Sequence, residues 1–271
     1  MRIRDALALA QALGVARLDA QLLLAHRLGR SRAWLLAHDD DALGETDAAA
    51  LRDGLRRRAA GEPLAYITCV AEFRGLALAV SPAVLIPRPE TELLVEWALE
   101  LQPAEAEVDV ADLGTGSGAV ALALQQARPR WRVTATDRSP QALAVARENA
   151  ARHAPSLALA QGDWWGALVG RRFALVVSNP PYVAGDDPHL AALGHEPRAA
   201  LTPEGDGLAA LARIVAGAPA HLEAGGWLVL EHGHDQAEAV RACLVRSGFD
   251  ATSTRSDLAG LPRCSAGCWR G

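Results

Sequence analysis

The stretch DLGTGSGAV, residues 112 to 120, runs from an apolar segment into three glycines at every second position. Glycine adopts positive φ at little steric cost and lets a ligand approach the backbone, and the free amides that open a following helix attract polar groups. The stretch therefore predicts a strand, a ligand-binding turn and a helix. It favours a nucleotide-like ligand, with a purely structural turn as the alternative. The GxGxG spacing lacks the third glycine of the dinucleotide-binding fingerprint, which argues against NAD.

Short apolar runs alternate with helical segments on both sides of this turn. The runs are residues 108–114, 132–137, 157–163, 173–179 and 226–233, and the helical segments are 119–128, 140–152 and 208–221. Near-continuous apolar strands separated by helices indicate a mostly parallel sheet covered on both faces. Two further extended segments, 249–256 and 263–269, have no helix between them and are predicted to pair antiparallel at one edge. The prediction is a seven-stranded, Rossmann-like α/β sheet.

The residues before this domain have a different hydrophobic pattern. Residues 1–62 carry leucine and alanine at helical spacing with breaks at glycines, which predicts a small bundle of four or five short helices. Residues 63–82 contain β-branched and aromatic residues around a possible turn at Arg74 and Gly75, and we interpret them as a β-hairpin linker. The sheet domain would then occupy residues 83–271.

Composition narrows the class of protein. With 271 residues, 50% of them hydrophobic, the chain can bury a sizeable core, and its net charge of −5 argues against holding nucleic acid on a broad basic face. The four cysteines form no CxxC pair, so neither a disulfide framework nor a zinc site is indicated. No signal peptide or membrane span is evident. We therefore expect a cytoplasmic protein.

Polar residues follow several strands at the edge where ligands of open α/β sheets bind. Asp137 ends the second strand, where a carboxylate can accept hydrogen bonds from ribose hydroxyls; a helix cap is the alternative. After the third strand, Asp163 could accept from an adenine amino group and Trp164 could lie against the ring, unless the tryptophan is simply part of the core.

The fourth strand ends in SNPPY, residues 178 to 182. Proline has no backbone N–H and fixes φ, so the carbonyls near Asn179 and Pro180 are held as acceptors without competing donors. Together with the side-chain oxygen of Asn179, they can hold both hydrogens of a planar NH2 group, and Tyr182 could pack against its plane. A rigid surface turn is the alternative.

The glycine turn, the aspartate after the second strand and NPPY together resemble class I S-adenosylmethionine-dependent methyltransferases that modify a conjugated amino group. The further segments GEPLAYIT, IPRPETE, EHG and DLAGLPR, spread between Gly61 and Arg263, resemble the protein-(glutamine-N5) methyltransferases of release factors, the PrmC/HemK type. Two features depart from that family: Cys69 stands where it usually has glycine, and the tail RCSAGCWRG keeps little beyond its arginine.

The resemblance implies transfer of a methyl group from S-adenosyl-L-methionine to the side-chain nitrogen of the glutamine in the GGQ motif of class 1 peptide chain release factors. An SN2 transfer with neither metal nor general base would follow. The cofactor would be held by Gly114, Thr115, Gly116, Ser117, Gly118, Asp137, Asp163, Trp164 and Asn179. The substrate glutamine would meet Asn179, Pro180, Pro181, Tyr182, Arg88 and Glu90, of which Asn179, Pro180 and Tyr182 would be catalytic.

The expected partner is the release factor, met by the helical N-terminal domain, with no stably bound nucleic acid, no membrane and a monomeric chain. Two alternatives stay open. One is an adenine-N6 nucleic-acid methyltransferase, whose NPPY turn also binds a conjugated NH2 group. The other is a non-catalytic partner in translation that keeps the fold as a scaffold. His232 and His234 resemble metal ligands only superficially, and we interpret their segment as a loop after the fifth long strand.

Overall fold

The computed structural model describes residues 1–271 and divides them into two compact units, Met1–Val70 and Ala71–Gly271. The first unit is helical. Its helices are α1 (Ile3–Ala12), α2 (Arg17–Leu28), α3 (Arg32–Ala37), α4 (Glu45–Ala59) and α5 (Leu64–Thr68). Their apolar faces share one core, in which Leu24, Leu35 and Leu55 are almost fully buried. This unit extends to Val70, whereas the sequence analysis placed its end at residue 62.

Helix α5 corrects one expectation, because residues 64–68 were predicted to belong to a hairpin strand. Leu64 and Ile67, three residues apart, both pack against the helical core, and the Thr68 hydroxyl donates to the Leu64 carbonyl at 3.1 Å. Helical packing thus overrides the strand preference of β-branched and aromatic residues. Cys69 ends the helix in the left-handed conformation, with φ of 58°.

The hairpin itself begins after that point. Strands β1 (Val70–Phe73) and β2 (Leu76–Ala79) form a two-stranded sheet. The turn falls at Arg74 and Gly75, as predicted, with φ of 48° and 80°. Two successive positive φ values match the right-handed twist of a tight hairpin.

The second unit contains the seven-stranded sheet, in the order β5-β4-β3-β6-β7-β9-β8. Its strands are β3 (Asp109–Leu113), β4 (Arg132–Asp137), β5 (Ala158–Gln161), β6 (Phe173–Ser178), β7 (Leu222–Glu231), β8 (Phe249–Ser256) and β9 (Pro262–Trp269). Strands β3 to β7 run parallel, and β9 is antiparallel to both of its neighbours. The predicted mostly parallel sheet with an antiparallel edge pair is confirmed.

Helices cover both faces of this sheet. They are α6 (Glu92–Leu101), α7 (Ala119–Ala127), α8 (Pro140–His153), α10 (Ala209–His221) and α11 (Ala237–Arg246), and the unit also contains the short helix α9 (Arg198–Leu201). Residues of β6 enter both cores: Leu175 and Val177 pack on one side and Val176 on the other, and a register shift between Phe173 and Leu175 lets Phe173 join the core of Val176. A strand buried on both faces has to be apolar throughout, which explains the run FALVV. No helix in either unit combines the length and apolar character needed to cross a membrane.

Strand β3 lies between β4 and β6, so the chain leaves β3 and β6 toward opposite halves of the sheet. The carboxyl ends of these parallel strands meet at one edge, and ligands of open α/β sheets bind at such a crossing point. The predicted polar residues follow these same strand ends.

Candidate active site

A cavity of about 400 Å³ opens at this edge of the sheet. The candidate residues among those lining it are Gly114, Thr115, Gly116, Ser117, Asp137, Asp163, Trp164, Asn179, Pro181 and Arg88. The ends of four strands therefore converge on one space. In particular, the NPPY turn and the glycine turn face the same cavity, as the proposed chemistry requires.

The glycine turn is held by backbone hydrogen bonds. The amides of Gly114 and Thr115 both donate to the Thr136 carbonyl, at 2.9 and 2.8 Å, which ties the turn to β4. Gly116 has φ of 56°, and a Cβ added there would meet no atom within 4 Å. The turn is thus open on the side where a ligand would approach.

Gly118 has a different position from the other glycines. It caps α7 with φ of 87° and lines neither of the cavities. A Cβ at this position would lie 3.2 Å from a Leu122 methyl carbon and 3.6 Å from the Ala146 Cβ. The absence of a side chain here allows α7 and α8 to pack closely.

Asp112, at the end of β3, lies beneath the glycine turn and is only 2% exposed. Its Oδ2 accepts a hydrogen bond from the Thr115 hydroxyl at 2.6 Å. Burial raises its pKa to about 7, against the opposing effect of that hydrogen bond. The sequence analysis did not select Asp112, although it begins the stretch DLGTGSGAV. A carboxylate within an otherwise apolar strand was the signal that could have identified it.

Asp137 is already oriented by the backbone. Its Oδ2 accepts from the Gly116 amide at 3.0 Å and its Oδ1 from the Ser139 amide at 2.9 Å. An ionised carboxylate offers about four lone-pair sites, so each oxygen can still accept a hydroxyl hydrogen from the cavity. The cap at the start of α8 is Ser139, whose Oγ accepts from the Ala142 amide.

Trp164 forms a wall of the cavity. A Cβ on Gly114 would lie 3.2 Å from its ring, so the two residues are in close contact. The adjacent Trp165 belongs to the core: it stacks on His221 at 4.7 Å and donates from Nε1 to the Ile214 carbonyl. Asp163 forms an ion pair with Arg213 at 2.7 Å.

Asn179 is shared by two cavities. Besides the large one, it lines a smaller cavity of about 100 Å³ together with Pro180 and Tyr182. Its Nδ2 donates to the Thr91 hydroxyl at 3.1 Å, so the amide has a fixed orientation. The Asn179 Oδ1 and the Pro180 carbonyl oxygen accept no hydrogen bond from the protein. Two acceptors are therefore free beside the smaller cavity.

Tyr182 is anchored from two sides. Its hydroxyl donates to Glu231 Oε1 at 3.0 Å, and its carbonyl accepts from Gln236 Nε2 at 2.9 Å. A Cβ on Gly207 would collide with that same carbonyl, so only glycine fits there. Burial, reinforced by the charge of Glu231, raises the pKa of the Tyr182 phenol, which stays protonated.

The IPRPE segment contributes Arg88, which lines both cavities and forms an ion pair with Glu196. Glu196 is buried and also accepts from the Ile86 amide at 3.1 Å, so it fixes this segment. It was missed by sequence reasoning, because nothing in its local sequence marks it. Glu90 is exposed and lines neither cavity.

Fold and site together define a class I methyltransferase. Residues 89–209 match the family described as methyltransferase small domain. A methyltransferase from Pyrococcus furiosus, 18% identical in sequence, has a similar structure over 84% of this chain and 100% of its own, with a TM-score of 0.55. At that level of identity, the likeness concerns the fold alone.

The relatives identify the family within this class. Residues 3–68 match the PrmC N-terminal domain. Proteins named release factor glutamine methyltransferase are 53% identical in Bordetella pertussis, over 94% of this chain and 95% of the relative, and 51% identical in Burkholderia pseudomallei, over 92% and 91%. The chain belongs to the release factor glutamine methyltransferase family, which confirms the resemblance carried by its motifs.

Proposed function

We propose that this protein transfers a methyl group from S-adenosyl-L-methionine to the side-chain nitrogen of the glutamine in the GGQ motif of class 1 release factors. Membership of the family supports the substrate. One observation supports the chemistry above all: Asn179 lies between the two cavities with its Nδ2 held by Thr91 and its Oδ1 unpaired. A cofactor on one side and a carboxamide on the other would meet at this residue.

The larger cavity fits the cofactor in size and in the groups it offers. Its volume of about 400 Å³ is within the range of small-molecule sites. We assign the ribose to Asp137, the adenine to Asp163 and Trp164, and the methionine portion to the turn from Gly114 to Ser117. When bound, S-adenosyl-L-methionine would supply an electrophilic methyl group on its sulfonium.

The smaller cavity is where we place the glutamine side chain. An amide nitrogen is a poor nucleophile because its lone pair is delocalised into the carbonyl. Asn179 Oδ1 and the Pro180 carbonyl would accept its two hydrogens, orienting the nitrogen and stabilising the positive charge that develops on it. Once methylated, the nitrogen would lose one of these hydrogens to water as a proton, which restores the neutral amide. Positioning and fixed acceptors of this kind contribute several kcal/mol each. Because Pro180 and Pro181 have no N–H, no backbone donor from these two residues competes.

Other residues would complete the substrate site. We propose that Tyr182 packs against the carboxamide, that Pro181 and Arg88 border it, and that Glu90 contacts the release factor from the exposed surface beside them. We further propose that the helical unit contacts the release factor and that the protein acts as a monomer.

The test compares two substrates in one assay. The protein is incubated with methyl-labelled S-adenosyl-L-methionine and either a release factor or duplex DNA, and the label is located by mass spectrometry. The expected result is label on the GGQ glutamine, lost when that glutamine is replaced by alanine. Label on adenine, or on neither substrate, would overturn the proposal.

A further inference from the structure

The motif EHG is part of the sequence resemblance but supplies no residue to either cavity. Its Glu231 ends β7 directly behind the NPPY turn and is only 1% exposed. Oε1 accepts the Tyr182 hydroxyl at 3.0 Å, whereas Oε2 is buried with no hydrogen-bond partner. A buried carboxyl oxygen without a partner is costly, so its presence beside the site calls for an explanation.

Thr91 is 4% exposed and contacts Asn179 of the NPPY turn. Its oxygen accepts from Asn179 Nδ2 at 3.1 Å, so its own hydrogen has to point elsewhere. The Thr91 hydroxyl is among the groups that favour the charged form of Glu231, although no direct hydrogen bond joins the two in this structure. The buried Thr91 hydrogen and the buried Glu231 Oε2 thus both lack a hydrogen-bond partner.

We infer that Glu231 is a positioning residue, which sets the orientation of the Asn179 amide through the Thr91 hydroxyl. With the Thr91 hydrogen drawn toward Glu231, the Thr91 oxygen is left to accept from Nδ2, and Asn179 presents Oδ1 to the substrate. Without the carboxylate, the Thr91 hydroxyl is free to donate to Oδ1 of a flipped amide. Asn179 would then offer a donor to a substrate NH2 group, which needs an acceptor. The inference rests on the proposed function.

Because Glu231 can gain or lose a proton, its effect on the Asn179 amide can be measured as a function of pH. The titratable groups that face it are Glu90 near Thr91, Tyr182 of the NPPY turn, and Arg263 and Cys264 of β9. Burial raises the pKa of Glu231 to about 7, with Glu90 acting in the same direction and Thr91, Tyr182 and Arg263 opposing. A protonated Glu231 competes as a donor for the Thr91 oxygen, so the orienting effect is weakened at low pH.

A first experiment measures the orientation of the amide without cofactor or substrate. The sequence has only two asparagines, Asn149 and Asn179. A [15N]asparagine-labelled protein therefore gives two side-chain NH2 signals. We expect the Asn179 signal to shift with a midpoint near pH 7 and the Asn149 signal to stay constant. The shift should vanish in Glu231→Leu and Thr91→Val. A flat Asn179 signal in the unaltered protein would overturn the inference.

A second experiment measures turnover of a release factor. We expect Glu231→Leu to lower kcat about tenfold, with KM and the Kd for S-adenosylhomocysteine changed less than about twofold. In a Thr91→Val background the same substitution should cost less than about twofold, because the connection to Asn179 is already cut. Glu223→Gln, an exposed glutamate on the same strand, is the matched control.

The outcomes separate the two proposals. An equal loss of kcat in both backgrounds, or a loss confined to KM, would overturn the positioning role. If Glu231→Leu does not fold, Glu231→Gln replaces it, with a smaller loss of kcat and the same loss of the pH-dependent shift. A normal NMR titration in a protein that does not methylate release factors would overturn the proposed function and leave the link from Glu231 to Asn179 intact.

Discussion

The two walls of the candidate site are built in different ways. The glycine wall, residues 114–118, is held by backbone hydrogen bonds to β4. The NPPY wall, residues 179–182, is held by side chains from elsewhere, through Thr91, Glu231 and Gln236. Each wall rests on a buried carboxyl group whose pKa is raised to about 7, Asp112 in the first case and Glu231 in the second.

We propose that this difference separates cofactor binding from methyl transfer. A backbone wall offers amides and open space, which suits a cofactor that has to be held. A wall of fixed side-chain and carbonyl acceptors suits a group that has to be oriented while its charge changes. Substitutions in the NPPY wall should therefore lower turnover, whereas substitutions on the cofactor side should weaken cofactor affinity.

The largest effect is expected at the NPPY wall. Asn179→Ala removes one of the two free acceptors, and we expect turnover of the release factor to fall by about 10² to 10³, measured by mass spectrometry. The Kd for S-adenosylhomocysteine, measured by calorimetry, should change by less than about threefold. If affinity falls as far as turnover does, the two walls do not act separately.

The corresponding change on the cofactor side is Asp137→Ala, at the carboxylate that accepts from the Gly116 amide of the glycine wall. Loss of a carboxylate that accepts from hydroxyls costs about 1.5 to 3 kcal/mol, so we expect the cofactor Kd to rise roughly 10- to 100-fold, with turnover at saturation nearly unchanged. Asp163→Ala is the comparison, because Asp163 is partly exposed and already paired with Arg213. Its effect should be smaller, and a larger one would contradict the assignment of the ribose to Asp137.

The buried carboxyl behind the NPPY wall should be visible in stability. Because burial raises the pKa of Glu231 from 4.5 to about 7, the folded protein binds more protons than the unfolded chain between those values. The stabilisation is complete below about pH 4.5 and is lost as pH rises through about 7. Urea unfolding at a series of pH values should show this fall in the free energy of unfolding, and Glu231→Gln should remove about 3 kcal/mol of it. Glu223→Gln should leave the slope unchanged, and an unchanged slope in Glu231→Gln would contradict the raised pKa.

The smallest effects concern left-handed backbone positions inside and outside the site. Cys69 has φ of 58° and Gly116 has φ of 56°. Because a left-handed conformation costs a residue with a Cβ about 1 kcal/mol, Cys69→Gly should raise the free energy of unfolding by about that amount. Gly116→Ala should lower it similarly, since the new methyl group meets no other atom. Chemical denaturation measures both, and a large loss at Gly116 would point to a packing role instead.

Much of the sheet could be predicted because its strands are dictated locally. FALVV and RVTATD carry enough apolar and β-branched residues that the strands fall where the sequence places them. Helix α5 could not, because its packing partners lie elsewhere in the helical unit. Helix α11 was missed although Ala237, Val240 and Leu244 have helical spacing and are buried.

The site divides in the same way. The candidates that line the cavities follow strand ends or belong to motifs, so their sequence positions were informative. The residues that hold these candidates in place could not be found from their sequence positions. Thr91 lies 88 residues from Asn179 along the chain, and Glu231 lies 49 residues from Tyr182. Glu196, which holds Arg88, is likewise distant in sequence. Contacts of this kind depend on the folded topology rather than on any local pattern.

The position of β9 has a consequence for how a working copy is made. This strand is inserted between β7 and β8, and it carries Arg263 to the neighbourhood of Tyr182 and Glu231. Protein synthesis runs from the N-terminus, so β9 leaves the ribosome after the six other strands of this sheet. A nascent chain that has not reached Pro262 contains both walls of the site. It lacks β9, the strand that pairs with both β7 and β8. The sheet that carries both walls is thus completed by the last of its strands to be synthesised.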